Sequence, residues 1–512
     1  MNNSLSKTWL QYEAGKEYKR KIGLYHTVRE NERFYRGDQW YMIQSSNLPK
    51  PVFNVVRRVV DYLTCSVTPE KVSIRYVDEK TPFGRNNDLE KSNRIADILS
   101  ANARYRWERS KMDSKLYDLV GNAAISGDGV LYSYWKSDEM GDGSYEGDIV
   151  TEVIDNVNLF VADVNNRDIQ SQEYIILSGR ASVASLRCEA RNNGISEKNV
   201  LNIVSDEADE RDRGGDFSTY EIKGEDEAKA TYLIKFWRED GRVCFEKSTR
   251  NCVIARVKTP CYLYPVAYFN WFPTKNCFHG TSVVSGMVPN QKYINRAYAM
   301  VMKHMSDTAF SKVIYDKSRI PEWSNEVGEA IAAHAGTNVS DAVTVLGVGK
   351  LQDKYLEFLS NVISTTKELS NATETALGNV TPQNTSAILA IQESAKVPLK
   401  LVRAALYQCI EDIANIWSDM TLAYYPNDRL VPMLKCSGEY YSEALFIEEG
   451  EQVRLRAFVN VVDSSTYSSA VTVSILDKLL ESGKITIDQY LKMIPEEYID
   501  NSDVLMEVKS NE

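Results

Sequence analysis

The chain has 512 residues and carries 60 Lys and Arg against 71 Asp and Glu, a formal net charge of −11. At about 150 residues per domain the length accommodates about three domains with sizeable cores, and 43% apolar with 26% charged residues is the balance of a soluble globular protein. The acidic excess argues against a free-standing duplex binder, which needs a basic face to displace counterions from phosphate, but not against a protein that touches DNA only transiently.

The start, Met1 to Lys7, lacks the apolar core of a signal peptide. No stretch approaches the run of about 18 apolar residues needed to cross a bilayer. The cysteines are scattered without a C-x-x-C pair, so reduced, mostly buried thiols and a cytosolic origin are expected. Tyrosine is abundant, 30 against 14 Phe and 8 Trp. Its ring packs while its hydroxyl stays wet, which suits a large subunit interface.

In chain order, residues 8–40 read as an amphipathic helix, and a proline-marked turn at 48–51 precedes helical spacing over Phe53–Leu63. Val72–Val77 alternates like a strand, and 88–122 returns to helix. From about Gly129 to Phe272, short β-branched and aromatic runs separated by Gly, Asp and Asn predict strands. The acid-rich segment 205–229 reads as a solvated loop. Thr281 or Ser282 can cap a short turn, and Pro289 suits the first position of a helix running to Thr308. A β-like region follows at Ser311–Tyr315 and Ala342–Val348, with a small helical piece at 322–335 between the two runs. Asp353–Leu377 predicts a further helix ended by Gly378.

After a turn-rich stretch at 379–386, a long helix is expected over 387–424. Its apolar positions Leu399, Val402, Leu406, Cys409, Ile413, Ile416 and Met420 form one seam. Pro398 falls inside this helix and should kink it, since it removes a backbone donor and clashes with the preceding turn. Arg454–Val462 reads as a strand, and helices are expected at 466–481 and 486–494.

Catalytic chemistry finds little support. There is no G-x-x-x-x-G-K-[ST] phosphate cradle, no H-E-x-x-H and no G-x-S-x-G elbow, and the 4 histidines are widely separated. His304 reads as a packing or surface residue. Asp128, between Gly127 and Gly129, reads as a turn leading into a strand rather than an activated carboxylate, and 138–148 as an acidic hairpin tip rather than a calcium loop. The chain is therefore expected not to be an enzyme, with no catalytic, metal or cofactor-binding residues. From Leu377 to Gln392 no side chain is charged. That stretch reads either as a neutral helix–helix connection or as a loop facing a polyanion. The expected helices of about 20 and 25 residues before and after the β-like excursion would span roughly 30–38 Å.

The order of these pieces resembles the portal proteins of tailed double-stranded DNA bacteriophages. The resemblance rests on Asn31–Trp40 (NERFYRGDQW), 50–63 (KPVFNVVRRVVDYL), 280–296 (GTSVVSGMVPNQKYINR), 384–392 (NTSAILAIQ) and 471–495 with its GKITIDQYL, taken in order and nearly end to end. It implies an α+β, multidomain portal fold assembling as a ring, dodecameric in the family, around a central tunnel at one capsid vertex. Residues 1–280 would form the N-terminal wing, 281–308 and 353–378 the stem helices, and 309–352 the clip. Residues 379–386 would be the tunnel loop, 387–424 the long kinked helix, 425–463 the wing return strand and 464–512 the crown.

On the same resemblance the tunnel loop would comprise Asn379, Val380, Thr381, Pro382, Gln383, Asn384, Thr385 and Ser386. Lys367 would contact passing phosphate, with an intersubunit salt bridge as its alternative, and Lys317 and Arg319 would serve docking at the clip. The implied partners are double-stranded DNA, the terminase motor, head-completion or adaptor proteins, and the major capsid and scaffolding proteins, with no membrane. The implied location is the virion, after assembly in the host cytoplasm. The alternatives are another ring-forming virion component, such as a head–tail adaptor, or a nucleic-acid-processing enzyme with an unrecognised site. Twelve copies would carry about −130 formal charges, which suits a conduit that must not grip a polyanion.

Overall fold

A computed structural model describes residues 6–41, 43, 48–78, 86–140, 146–206, 228–308, 312–324, 332, 334, 338–346, 353–372, 397–425, 429–434, 440–444, 455–462, 466–486 and 490. The chain is α+β and folds as two compact units. The first takes in Met1–Glu32, Val60–Ser285 and Lys396–Glu512, the second Arg33–Val59 and Gly286–Ala395.

The predicted N-terminal helix is two helices. Helix α1 (Lys7–Lys21) starts at Ser6, whose hydroxyl accepts the Trp9 amide. It stops at Gly23, whose φ of 73° continues no helix, and α2 (Leu24–Arg36) begins afresh. The inner face of α1 packs Trp9 and Tyr12 against Phe160, Ile176 and Leu233. Lys19, 2% exposed, points the same way, and its ammonium donates to the carbonyls of Asn156, Val157 and Leu159 at 3.0, 2.8 and 2.7 Å. Helix α3 (Val55–Val67) and strand β1 (Lys71–Asp78) follow. The helix expected over 88–122 is also divided, into α4 (Asn86–Arg109) and α5 (Met112–Ser126), because Lys111 takes a left-handed φ of 51°. Trp107 Nε1 bridges the corner to Asp113 at 2.7 Å.

The strand-rich region forms two antiparallel sheets in the first unit. Strands β2 (Asp128–Met140) and β3 (Glu146–Ile154) make a hairpin. Strands β4 (Leu159–Val161), β5 (Tyr174–Ser182), β6 (Lys229–Glu239), β7 (Arg242–Ser248) and β8 (Val253–Lys258) pair in sequence order. Strand β9 (Val266–Asn270) adds to β2. Between the sheets' inner faces lie Val130, Leu159, Ile175, Phe236, Tyr264, Val266 and Phe278. A helix not expected there, α6 (Val183–Asn192), begins where the Ser182 hydroxyl accepts the Ser185 amide, and buries Leu186 and Ala190 against Val200 and Ile254. A short α7 (Glu197–Val200) follows. Most of the acidic segment 205–229 lies outside the described residues.

The next helix, α8 (Val283–Thr308), starts earlier than Pro289, because the Ser282 hydroxyl already accepts the Ser285 amide at 3.0 Å. Pro289 sits inside the helix, where it removes the bond that the Ser285 carbonyl would accept. In the second unit, buried amides link the Arg33–Val59 segment to this helix. Gln291 bonds both Phe53 O and the Val55 amide, Asn295 accepts from Gln291, and Asn295 donates to Gln39 at 2.6 Å. Strands β10 (Lys312–Tyr315) and β11 (Val343–Leu346) pair antiparallel, with a 3₁₀ turn at Val339–Ala342. Of the helical piece expected at 322–335, the described residues 322–324, 332 and 334 are not helical. Helix α9 (Asp353–Leu369) ends before the expected Leu377, since Asn371 turns left-handed at φ 61° and the Ala372 amide bonds back to the Lys367 carbonyl. Gly378 lies outside the described residues.

The chain then returns to the first unit. Pro398 lies in a 3₁₀ turn, Val397–Leu399, that leads into α10 (Lys400–Tyr424). The described helix starts directly after it, and the expected kink at Pro398 involves residues before 397 that lie outside the described residues. Residues 387–396 of the expected long helix lie outside the described residues. The whole predicted seam, Leu399 to Met420, is buried, and α10 packs on β2, β9 and the later strand β14 (Leu455–Val462). Before β14 comes a hairpin that the sequence did not reveal, β12 (Leu430–Leu434) with β13 (Tyr440–Ala444). Strand β14 pairs along its whole length with β1, and helix α11 (Thr466–Glu481) follows as expected. Of the last expected helix, 486–494, only Thr486 and Tyr490 are described.

Candidate functional site

The second unit combines two long helices with a β-ribbon. Helix α8 is about 39 Å long and α9 about 26 Å at 1.5 Å per residue. Each buries one stripe. In α8 it runs through Met287, Val288, Gln291, Ile294, Asn295 and Ala297, and in α9 through Leu359 and Thr366. Outside those stripes large apolar side chains stay in water, among them Tyr293, Met300 and Met305 (62% exposed) on α8 and Leu356, Phe358 (52%) and Leu369 (75%) on α9.

The β10–β11 ribbon is exposed on both faces. Ile314 and its partner Thr344 are exposed on one, and Val345, opposite Val313, on the other. A lone two-stranded ribbon is marginal in water without cover for one face. Among the described residues its base is packed, where Tyr315 stacks on Trp323 at 5.4 Å and Ile320 is buried.

Lys317 and Arg319 fall in the turn after β10, which is built on Asp316. The Asp316 carboxylate accepts the Ser318 hydroxyl and amide, and these bonds hold it below the ordinary carboxylate range. Lys317 is exposed, whereas Arg319 is half-buried and donates to the Asn338 carbonyl at 2.9 Å, so it braces the turn. Lys367 sits half-buried in the last turn of α9. The segment Asn379–Ser386 lies outside the described residues. On α8 the charges are Lys292, Arg296 and Lys303 and then Asp307, which pairs with Lys303 at 3.2 Å.

Two carboxylates that the sequence placed in turns are structural hubs of the first unit. Asp128 opens β2, fully buried. It accepts the amide of Gly280 (2.7 Å), Asn270 and Asn156 (2.9 Å each), and His279 Nδ1 at 2.8 Å. Burial pushes its pKa up, but the bonds from His279, Gly280 and Asn156 overcome that and hold it below the ordinary range, so it is a poor general base. Asp148 is not part of an exposed hairpin tip. It lies on β3, buried, and accepts Arg106, the Tyr425 hydroxyl and the Ile149 amide.

His304 lies on α8, where its carbonyl accepts the Thr308 hydroxyl. The described cysteines are free thiols, and burial pushes Cys261 up to about 12, well into the inert range. Among the described residues no cluster of His, Cys, Asp and Glu has metal-binding geometry, and no helix is long and apolar enough to cross a membrane. No protein-family model and no curated protein matches the sequence.

Proposed function

We propose that the chain is the subunit of a ring-shaped DNA conduit of the portal type, through which double-stranded DNA enters, is retained in and leaves a phage capsid. The observation that supports this best is the second unit, in which two long helices flank an uncovered β-ribbon and both helices hold large apolar side chains in water. Neighbouring copies related by rotation would supply the missing cover, and heterologous contacts that close into a ring need no symmetry within the chain. On this reading the ring is dodecameric, the ribbon and its Lys317 turn dock the terminase motor and later the adaptor proteins, and residues 379–386 face the DNA. Lys367 contacts passing phosphate or pairs with a neighbouring subunit. Scaffolding and capsid proteins would receive the ring at its vertex, and no catalytic step is assigned to it. Charges of both signs across α8 and α9 and a net acidic chain fit a channel that must let DNA slide.

Electron microscopy of the purified chain tests the reading. Rings with a central hole are expected. The double substitution Met305→Glu and Phe358→Glu should disperse them while leaving the far-ultraviolet circular dichroism of the subunit unchanged, because both side chains are solvent-exposed in the single chain. Monomers at every concentration, alone and with scaffold, would sink the ring.

A further inference from the structure

The corner between α4 and α5, in the first unit, holds a cavity of about 440 Å³. Arg106, Arg109, Lys111 and Lys115 line it, against the carboxylates of Asp118 and Asp148. Asp148 is already neutralised, with Arg106 at 3.1 Å and Arg109 at 3.9 Å. With Asp118 counted as well, four cations face two carboxylates and the lining keeps a net positive charge.

Three features point to an anionic ligand. Four cationic side chains, Arg106, Arg109, Lys111 and Lys115, line the cavity against two carboxylates, and Arg106 is spent on Asp148 and Tyr425 through its terminal nitrogens. The first-turn amides of α5 also open here. Lys111 at the N-cap is left-handed and supplies no side-chain cap, and the first intrahelical donor is the Lys115 amide. Finally, Lys115 is drawn toward the corner, donating to the Thr151 carbonyl at 2.7 Å, and burial lowers its pKa, a penalty that a bound anion would offset.

We propose that this corner binds a phosphate group, held by Arg109, Lys111 and Lys115 and by the open N-terminus of α5. Guanidinium, ammonium and backbone donors, joined by the hydroxyls of Ser110 and Ser114, approach from several sides, which matches a tetrahedral oxyanion better than a planar carboxylate. The cavity is several times larger than a bare phosphate, so it has room for a phosphate ester. The site does not depend on the conduit reading.

Calorimetric titration of the full chain with inorganic phosphate, at ionic strength matched by chloride, is the test. Saturable binding is expected, weakened ~30-fold in the double variant Lys111→Asn and Lys115→Gln. Asparagine accepts a left-handed backbone, and glutamine keeps a donor for the Thr151 carbonyl, so the corner should stay folded. Displacement of phosphate by a short DNA duplex in wild type but not in the variant would assign the group to a nucleic-acid backbone, and no displacement would assign it to free phosphate or a small monoester. Absence of saturable binding in wild type, equal affinity in the variant, or acetate binding as tightly as phosphate overturns the proposal.

Discussion

Asp128→Ala is expected to destabilise the first unit by about 3–5 kcal/mol, read as a lowered urea midpoint with tryptophan fluorescence as probe. The carboxylate is completely buried, and four donors from three separate parts of the chain converge on it: Asn156, Asn270, and His279 with Gly280. An ionised carboxylate can only accept, so His279 Nδ1 carries the proton in that bond. Alanine takes this acceptor from the buried His279 and Gly280 N–H groups, and leaves the Asn156 and Asn270 amides with neutral carbonyl and hydroxyl acceptors in place of a carboxylate. The space cannot simply collapse either, because Gly127 (φ 100°) and Gly280 are so close that a Cβ on Gly127 would come within 2.6 Å of the Gly280 carbonyl oxygen.

The same site fixes a pH dependence. The pKa of Asp128 is lower folded than unfolded, so its contribution is complete above the unfolded value of about 3.9 and is lost as pH falls through the folded value. Wild type should therefore lose stability in that acid window more steeply than Asp128→Ala. A substitution cost below about 1 kcal/mol, or identical acid limbs, would show that the network is not a keystone.

Lys19→Met is expected to cost about 3 kcal/mol, from three buried carbonyls losing their donor at about 1 kcal/mol or more each. Methionine matches the length of the lysine stem, so the packing against Phe160 largely survives and the loss isolates the ammonium. That ammonium also lies 3.7 Å from the Phe160 ring centroid, a further interaction that methionine lacks. Because the cation is sealed from solvent, the cost should be nearly independent of salt, unlike that of a surface pair. A melting temperature equal to wild type would place the three carbonyls in contact with water.

Elements with a sustained period were legible in the sequence. The α10 seam, β1, β14 and α11 each carry an apolar rhythm that secondary structure alone satisfies. What escaped was set by tertiary packing. Ser110 and Lys111 carry no breaking signal, and the corner there exists because Trp107 reaches Asp113 across it. Pro289 pointed to a helix start, but Ser282 offered a better cap nearly two turns earlier. Asp148 looked like part of an acidic turn because its partners, Arg106 and Tyr425, lie far away in sequence. The ribbon and flanking helices were readable as β-like and helical runs, whereas their uncovered apolar surface is visible only in three dimensions. The basic corner was unreadable for the same reason as the break that forms it.

The pairing of β1 with β14 bears on biosynthesis. Strand β1 leaves the ribosome early, while the strand it pairs with is made almost four hundred residues later. At about 5–20 residues per second the wait is on the order of tens of seconds. Throughout it, the buried positions of β1, Ile74 and Tyr76, lack β14, and the edge that will pair with β14 stays open to other nascent chains. Premature termination anywhere before Leu455 therefore leaves a chain with that edge unpaired.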